Sequence, residues 1–468
     1  MITENKTYDE LQIGDSYELH RVCTVDDFYI FAVASGNHNP MHLPDTDREG
    51  GEREEPVAPS MWCGSIVSAV LGNILPGPGT LYCSQHFDFV GRAHAGDELV
   101  IKVMLTAKNE DGTVVFATHV RRAADDVEIV RGEAVVVAPT EKITQDDHDL
   151  PGLVVQRHRH FDALIRMAEP LPPIPTAIVC PEEPNSLGGA ILAAKRTIIS
   201  PILIGNRDKI SAAASELGAD ISGFEMIEIN SHAEAANAGV ELVRAGRAKA
   251  LMKGHLHTDD LLRAALNKQT GLRAGRRFTH VFVLDVPGMP HPLIVSDAAI
   301  NIAPDLPTKI DIVQNAIDLA ISIGIQVPKV GVLSAVETVN PAIPSSVDAA
   351  LLSKMADRGQ ITGGLVEGPL AMDNAVDLAA ARTKGIKSDV AGRAEVLVVP
   401  DLDAGNMLAK QLTYIAKAEA AGLVMGASCP IILTSRADDD MARLASCAVA
   451  AIHHARMSGR DIEKLAAE

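Results

Sequence analysis

From residue 176 onward the chain alternates short, almost wholly apolar runs with longer stretches of helical periodicity, and few folds accept that pattern. The apolar runs are Ala177-Ile-Val-Cys180, Pro201-Ile-Leu-Ile-Gly205, Ala250-Leu-Met-Lys253, His280-Val-Phe-Val-Leu284, Val330-Gly-Val-Leu333 and Val396-Leu-Val-Val-Pro400. None shows the in–out alternation of a one-sided sheet, so each reads as a strand covered on both faces. Helical stretches at 234–245, 309–323 and 347–357 separate them. Strands alternating with helices imply an α/β unit around a mostly parallel sheet. No GxGxxG follows any of these strands, so a dinucleotide site is not indicated.

The first ~140 residues read differently, and a chain of 468 residues is too long for one core. Thr24-Val-Asp-Asp27 is a helix start, with Thr24 as cap and two acids at the positive end of the dipole, for a helix over 24–35. A second, apolar helix over 60–74 follows Pro56 and Pro59 and stops before Pro76-Gly-Pro-Gly79; so few polar residues lie on any face that it is expected to be buried nearly all round. Four strands follow, at 80–90, 98–108, 113–122 and 127–137, punctuated by Gly91, Gly96, Asp111-Gly112 and Asp125-Asp126. A buried helix wrapped by an antiparallel meander is an α+β unit. The expected division is 1–145, a linker over 146–175 and 176–468. The linker carries a helix-like basic stretch (154–168), His158 and His160 as solvated surface groups, and then Pro170, Pro172, Pro173 and Pro175, which stiffen it.

A net charge of −19 opposes nucleic-acid and membrane-surface roles, although a local Arg/Lys cluster can still hold a small anion. Cys23, Cys63, Cys83, Cys180, Cys429 and Cys447 form no CxxC pair, so the expectation is reduced thiols in a cytoplasmic protein, with no metal. The first ten residues are polar and no run reaches ~18 apolar residues, so neither a signal peptide nor a membrane span is expected.

Phe31-Ala-Val-Ala-Ser-Gly-Asn-His-Asn-Pro-Met-His42, Leu71-Gly-Asn-Ile-Leu-Pro-Gly-Pro-Gly-Thr80 and Gly96-Asp97 resemble the MaoC-like (R)-specific enoyl-CoA hydratases, which have a hot-dog fold. In that family an Asp, and a His five residues later, hold the water that adds to the double bond. His42 matches the His, but Asn37 stands at the Asp. An amide orients water but cannot accept its proton, and losing one member of an acid–base pair removes most of the rate. Where the family has His-Gly before Met, this chain has Pro59-Ser60-Met61, and proline has no N–H to polarise a carbonyl. A scaffold impaired as a hydratase is the favoured reading, and a hydratase using His42 alone is the alternative.

Residues 176–462 carry Leu251-Met-Lys-Gly-His-Leu-His-Thr258, Gly271-Leu-Arg273, Ser296-Asp-Ala-Ala-Ile-Asn301, Gln314-Asn-Ala-Ile317, Leu333-Ser-Ala-Val-Glu337, Gly364-Leu-Val-Glu-Gly-Pro-Leu370, Pro400-Asp-Leu-Asp-Ala-Gly-Asn-Met407 and Leu433-Thr-Ser-Arg-Ala-Asp438. In that order they resemble the phosphate acetyl/butyryltransferase family. The resemblance implies a two-lobed α/β fold of the isocitrate/isopropylmalate dehydrogenase type, and transfer of an acyl group between coenzyme A and phosphate. It assigns Ser435 and Arg436 to the cleft: Ser435 as donor to the carbonyl oxygen, Arg436 as a planar fork for phosphate or oxyanion. A following Asp is the base for the thiol. Asp438, Asp439 and Asp440 all follow; Asp440 aligns best, and the triplet also suits a helix N-terminus. Lys253 and Arg263 flank the loop that can hold phosphate, and Ser296, Asp297 and Asn301 are expected to line the cleft. His255 reads as structural, bonding loop carbonyls, and Asp373-Asn374 as either a cleft pair or a helix cap.

The expected substrates are an acyl-CoA, acetyl by default, and phosphate, with no bound cofactor or metal. One methylene is worth only ~1–3 kcal/mol of discrimination, so propionyl and butyryl remain open. The rivals are a bifunctional hydratase–transferase and a non-catalytic acyl-CoA sensor. Both resemblances imply domains that pair, and two pairing domains on one chain favour a closed homo-oligomer, with a hexamer ahead of a tetramer.

Overall fold

The structure is a computed structural model that describes residues 2–43, 56–146, 159–434 and 439–459. The chain divides into two compact units, Met1–Val155 and Gln156–Glu468.

The first unit is an antiparallel sheet folded against one helix. Strands β2 (Ser16–Val22), β3 (Leu81–Phe89), β4 (Glu98–Lys108), β5 (Thr113–Arg122) and β6 (Glu128–Val137) lie in the order β2-β4-β5-β6-β3, and a short pair, β1 (Ile2–Glu4) with β7 (Thr144–Asp146), closes the ends of the segment. The four strands expected from sequence are present to within about a residue; β2 was not expected, and nearly all of its residues are exposed. Helix α1 (Val25–Ser35) begins where Thr24 Oγ1 accepts the Asp27 N–H at 3.1 Å and ends at Gly36 in the left-handed region (φ 72°). Helix α2 (Ser60–Asn73) buries Trp62, Ile66, Val67, Val70 and Leu71 against the sheet, in one core with Leu99, Ile101, Val103, Val114 and Phe116. It is not buried all round: Met61, Ser65, Ser68 and Ala69 form an exposed stripe. The small residues on that side masked its polarity in the sequence.

The second unit is built on one eleven-stranded sheet. Its strands are β8 (Ile174–Val179), β9 (Ile199–Gly205), β10 (Glu225–Glu228), β11 (Ala250–Lys253), β12 (Thr279–Asp285), β13 (Leu293–Ser296), β14 (Lys329–Leu333), β15 (Leu365–Leu370), β16 (Val396–Val398), β17 (Glu419–Met425) and β18 (Ile431–Ile432). The order is β10-β9-β8-β11-β18-β17-β12-β13-β16-β14-β15. Both ends are parallel, as strand–helix alternation requires, but the three central pairings, β18–β17, β17–β12 and β12–β13, are antiparallel. Those central strands come from hairpin-like connections, which the alternation does not reveal.

The segment read as a linker contributes to this unit's core. Helix α3 (Arg159–Ala168) buries Phe161, Leu164 and Ile165, and the Phe161 N–H donates to Asp285 at 2.8 Å. His160 is half-buried and bonds the Met289 carbonyl at 3.0 Å, so it is not a solvated group; His158 lies outside the described residues. The prolines at 170, 172, 173 and 175 mark the end of α3 and the start of β8, not a spacer between units. The long helix Asp440–Met457 is buried along most of its length, and α3 and α4 (Pro184–Lys195) pack against it. No helix among the described residues is long and apolar enough to cross a membrane.

Candidate active site

Strand β11 ends at Lys253, whose side chain is buried at 4 % exposure. The loop that follows is pinned to the end of β8: Gly254 N–H donates to Val179 O at 2.8 Å and His255 N–H to Cys180 O at 2.6 Å. A Cβ on Gly254 would sit 2.4 Å from the Cys180 carbonyl, so only glycine lets this turn close. His255 does not bond a loop carbonyl through its ring, as the sequence suggested; Nδ1 meets the Glu183 carboxylate at 2.8 Å, at the start of α4. Arg263 is largely exposed on the helix Thr258–Ala265, 3.4 Å from Asp260.

Strand β18 lies beside β11, pairing Met252 with Ile432. Beyond it Thr434 is buried and accepts a 2.6 Å hydrogen bond from Nη1 of Arg443, itself only 2 % exposed. Thr434 is thereby held at the start of the segment bearing Ser435, Arg436 and Asp438, which lie outside the described residues. At the far side of that segment the acidic triplet divides its labour. Asp439 is the cap, accepting the Ala442 N–H at 2.8 Å. Asp440 faces α4 instead, where a Cβ on Gly188 would lie 2.8 Å from its Oδ1; burial is the main reason its carboxyl is raised above the ordinary range, with Arg443 opposing and Asp439 adding to the rise. Helix α4 thus touches both the Lys253 loop, through Glu183, and the start of the last helix, through Gly188 and Gly189.

Ser296, Asp297 and Asn301 do not join this group. Along one row of the sheet Met252 pairs with Ile432, Ile432 with Leu423, Leu423 with Val281, and Val281 with Ser296. Four strand spacings, roughly 19 Å, separate Ser296 from the end of β11. Antiparallel β13 then carries Asp297 away in the opposite direction from Lys253. The Asp297 carboxylate is occupied by its own loop, accepting the N–H groups of Ala299 (2.9 Å), Ile300 (3.0 Å) and Asn301 (3.2 Å); Asn301 Nδ2 donates to it and to Phe278 O. Ser296 Oγ donates to His280 O at 2.9 Å. Asp373 pairs with Lys384 at 3.1 Å, and Lys384 also holds Glu337 at 3.1 Å.

Sequence reasoning missed Gly188-Gly189, Thr434, Arg443 and His280. The glycine pair was visible as an interruption of a helical pattern, which signals close approach. His280 is 1 % exposed in the middle of the sheet; burial holds it neutral, below the ordinary imidazole range, against the opposing pull of Asp297 and the Leu433 backbone. One trio of metal-ligand type exists among the described residues, Cys180, Glu182 and His232, with ligand atoms within 4.8 Å of one another. Lys209 (3.1 Å) and the Asn206 N–H (3.0 Å) already engage the Glu182 carboxylate.

Residues 231–451 match the phosphate acetyl/butaryl transferase family, and residues 10–125 match the MaoC like domain. The chain is 57 % identical to the phosphate acetyltransferase of Rhizobium meliloti over 297 residues, covering 63 % of this chain and 94 % of that one. It is 40 % identical over 298 residues to the phosphate butyryltransferase of Clostridium beijerinckii, covering 64 % and 99 %. Among solved structures, the branched-chain phosphotransacylase from Enterococcus faecalis V583 superposes with a TM-score of 0.53 at 30 % identity, covering 60 % of this chain and 99 % of that one.

The contact of α4 with the last helix yields a stability test. A Cβ at Gly189 would lie 2.4 Å from Arg443 Cβ, so Gly189→Ala is expected to cost ~1–3 kcal/mol in urea unfolding, despite alanine's better helix propensity. Gly188→Ala meets only the end of the Asp440 side chain and is expected to cost less. A Gly189→Ala protein as stable as the parent would show that the helices are not in contact there.

Proposed function

Because the chain belongs to the phosphate acetyl/butaryl transferase family, we propose that the region bearing Lys253, Arg436 and Asp440 is where phosphate and an acyl-CoA thioester exchange the acyl group. A phosphate oxygen adds to the thioester carbonyl carbon, the carbonyl electrons move onto oxygen, and the tetrahedral species collapses by breaking the C–S bond. The products are acyl phosphate and coenzyme A. Arg436 and Lys253 supply positive charge for phosphate and Ser435 donates to the developing oxyanion. Asp440 gives the leaving thiolate its proton, and takes it back in reverse. The observation that carries this reading is that Asp439, not Asp440, caps the helix. Asp440 is left as a partly buried carboxyl, raised toward the ~8.5 of a thiol, which narrows the gap a proton must cross. Acetyl-CoA is the proposed substrate, by likeness to the 57 % identical relative. The long mixed sheet supports placing the unit with the isocitrate/isopropylmalate dehydrogenase type, and the unpaired cysteines support a reducing, cytoplasmic setting.

For the first unit we propose a hot-dog scaffold impaired as a hydratase. Asn37 Oδ1 accepts the Asn39 N–H at 3.2 Å, an Asx turn that holds the amide in its own loop. One observation favours the rival reading: His42 Nδ1 bonds Val57 O at 2.7 Å, and a carbonyl only accepts, so Nε2 keeps a lone pair that can act as base.

Thiol release from acetyl-CoA should depend on phosphate. Arg436→Ala is expected to lower it at least about a hundredfold. Asp440→Asn should do the same while leaving stability at neutral pH unchanged or higher. The sign follows from the raised carboxyl: folding favours the protonated form, so the ionised carboxylate destabilises the fold above its folded pKa. Near-normal turnover in either variant would remove that residue from the mechanism.

Crotonyl-CoA should keep its conjugated-thioester absorbance when mixed with the protein, and Asn37→Asp is the variant expected to gain hydration. Rapid loss of absorbance by the unaltered protein would establish His42 as a sufficient base.

We further propose a hexamer, in which each unit pairs with a different neighbour and the contacts close. Light scattering should give a mass above that of a dimer; a dimer mass independent of concentration is the result against it.

A further inference from the structure

Two adjoining hollows lie at the opposite end of the long helix from Asp440. One, of about 550 Å³, is lined by Arg276, Asp318, Ser322, His453 and Arg456 among others. Its neighbour, of about 620 Å³, is lined by Arg273, Arg276, Arg277, Asp311, Phe278 and Ile300 among others, so Arg276 is common to both. Asp440 and Arg456 stand sixteen residues apart on one helix, roughly 24 Å along its axis. This groove is therefore distinct from the proposed catalytic site at Asp440.

Its charge is unbalanced. Four guanidinium groups face two carboxylates, in a protein whose net charge is −19. Both carboxylates are engaged: Asp318 by Arg276 and by Gln314 Nε2 at 3.0 Å, Asp311 by the Arg277 N–H at 3.1 Å with its guanidinium at 3.7 Å. Arg273 and Arg456 have no ion pair among the described residues, and the Nε of Arg456 is buried without a hydrogen-bond partner. A buried donor left in that state costs stability unless something else accepts from it. Nearby polar groups are committed: Ser322 Oγ–H donates to Asp318 O and shares a 2.8 Å bond with His453, which burial keeps neutral with a pKa of about 4. The floor beside the arginines is apolar, formed by Leu266, buried Phe278 and Ile300.

We propose that this groove is a second ligand site, taking a phosphorylated nucleotide. Two surplus positive charges match a phosphate dianion or a diphosphate, and arginine forks suit phosphate oxygens. A cavity of this size with an apolar wall accommodates a base and sugar beside the charge. Neither feature is required for bare phosphate.

The test uses the full chain and measures binding by calorimetry, so it does not depend on turnover. ADP is the probe, with inorganic pyrophosphate as the anion lacking a base. ADP is expected to bind, to weaken with added salt, and to lose at least about tenfold in affinity in the double variant Arg273→Gln/Arg456→Gln. Arg436→Gln, in the catalytic segment, should leave ADP affinity unaltered. Far-UV circular dichroism and melting temperature check that the double variant folds, since neither arginine holds an ion pair among the described residues. The proposal is overturned by an absence of ADP binding at millimolar concentration. It is equally overturned if Arg436→Gln abolishes binding while the double variant retains it, which would place the nucleotide at the proposed catalytic site. Pyrophosphate binding as tightly as ADP would remove the nucleotide assignment, because the apolar wall would then contribute nothing.

Discussion

In the second unit α4 lies directly on the start of the last helix, where two glycines meet Asp440 and Arg443. Much else depends on that contact. With no Cβ at Gly188 or Gly189, the helices come close enough for Arg443 to reach Thr434 and for Asp440 to lose part of its water. The buried guanidinium then holds Thr434, the residue before the segment that bears Ser435 and Arg436. One steric allowance in α4 therefore sets both the anchor of that segment and the proton affinity of the carboxyl beside it.

The same helix separates two kinds of positive charge. At its N-terminal end the dipole and Arg443 act on Asp440; at its C-terminal end Arg456 faces a groove already rich in arginine. The helix between them is buried through most of its length. An acidic protein that handles anionic substrates needs such local concentrations of cation, since its overall field repels them.

The first unit keeps its core apart from the loop that carries Asn37 and His42. Its core of Trp62, Val67, Val70, Ile101, Val103 and Phe116 makes no use of Asn37 or His42, so the loop that carries them can change without disturbing the sheet. Asn37 satisfies its own turn, a role a carboxylate would serve equally well. What differs is the proton, and only the side-chain type controls that.

The sequence by itself determined what depends on local periodicity and on residue type: the helices at 25–35 and 60–73, the four strands between 81 and 137 (though not their order, since β3 pairs with β6 and not with β4 as a meander requires), the six buried strand runs, the cap at Thr24, and the family motifs from Lys253 to Asp438. Those signals sit within a few residues of one another, so a linear reading captures them. The tertiary structure decided whatever depends on which strands become neighbours. Registering β13 antiparallel to β12 carried Asp297 and Asn301 away from Lys253, although the motifs that contain them look alike in kind. It drew Arg159–Ala168 out of an expected linker into the core, and chose Asp439 over Asp440 as cap. It also gathered Arg273, Arg276 and Arg456, up to 183 residues apart, into one groove. Long-range pairing carries no local periodicity, and for that physical reason none of these could be read along the chain.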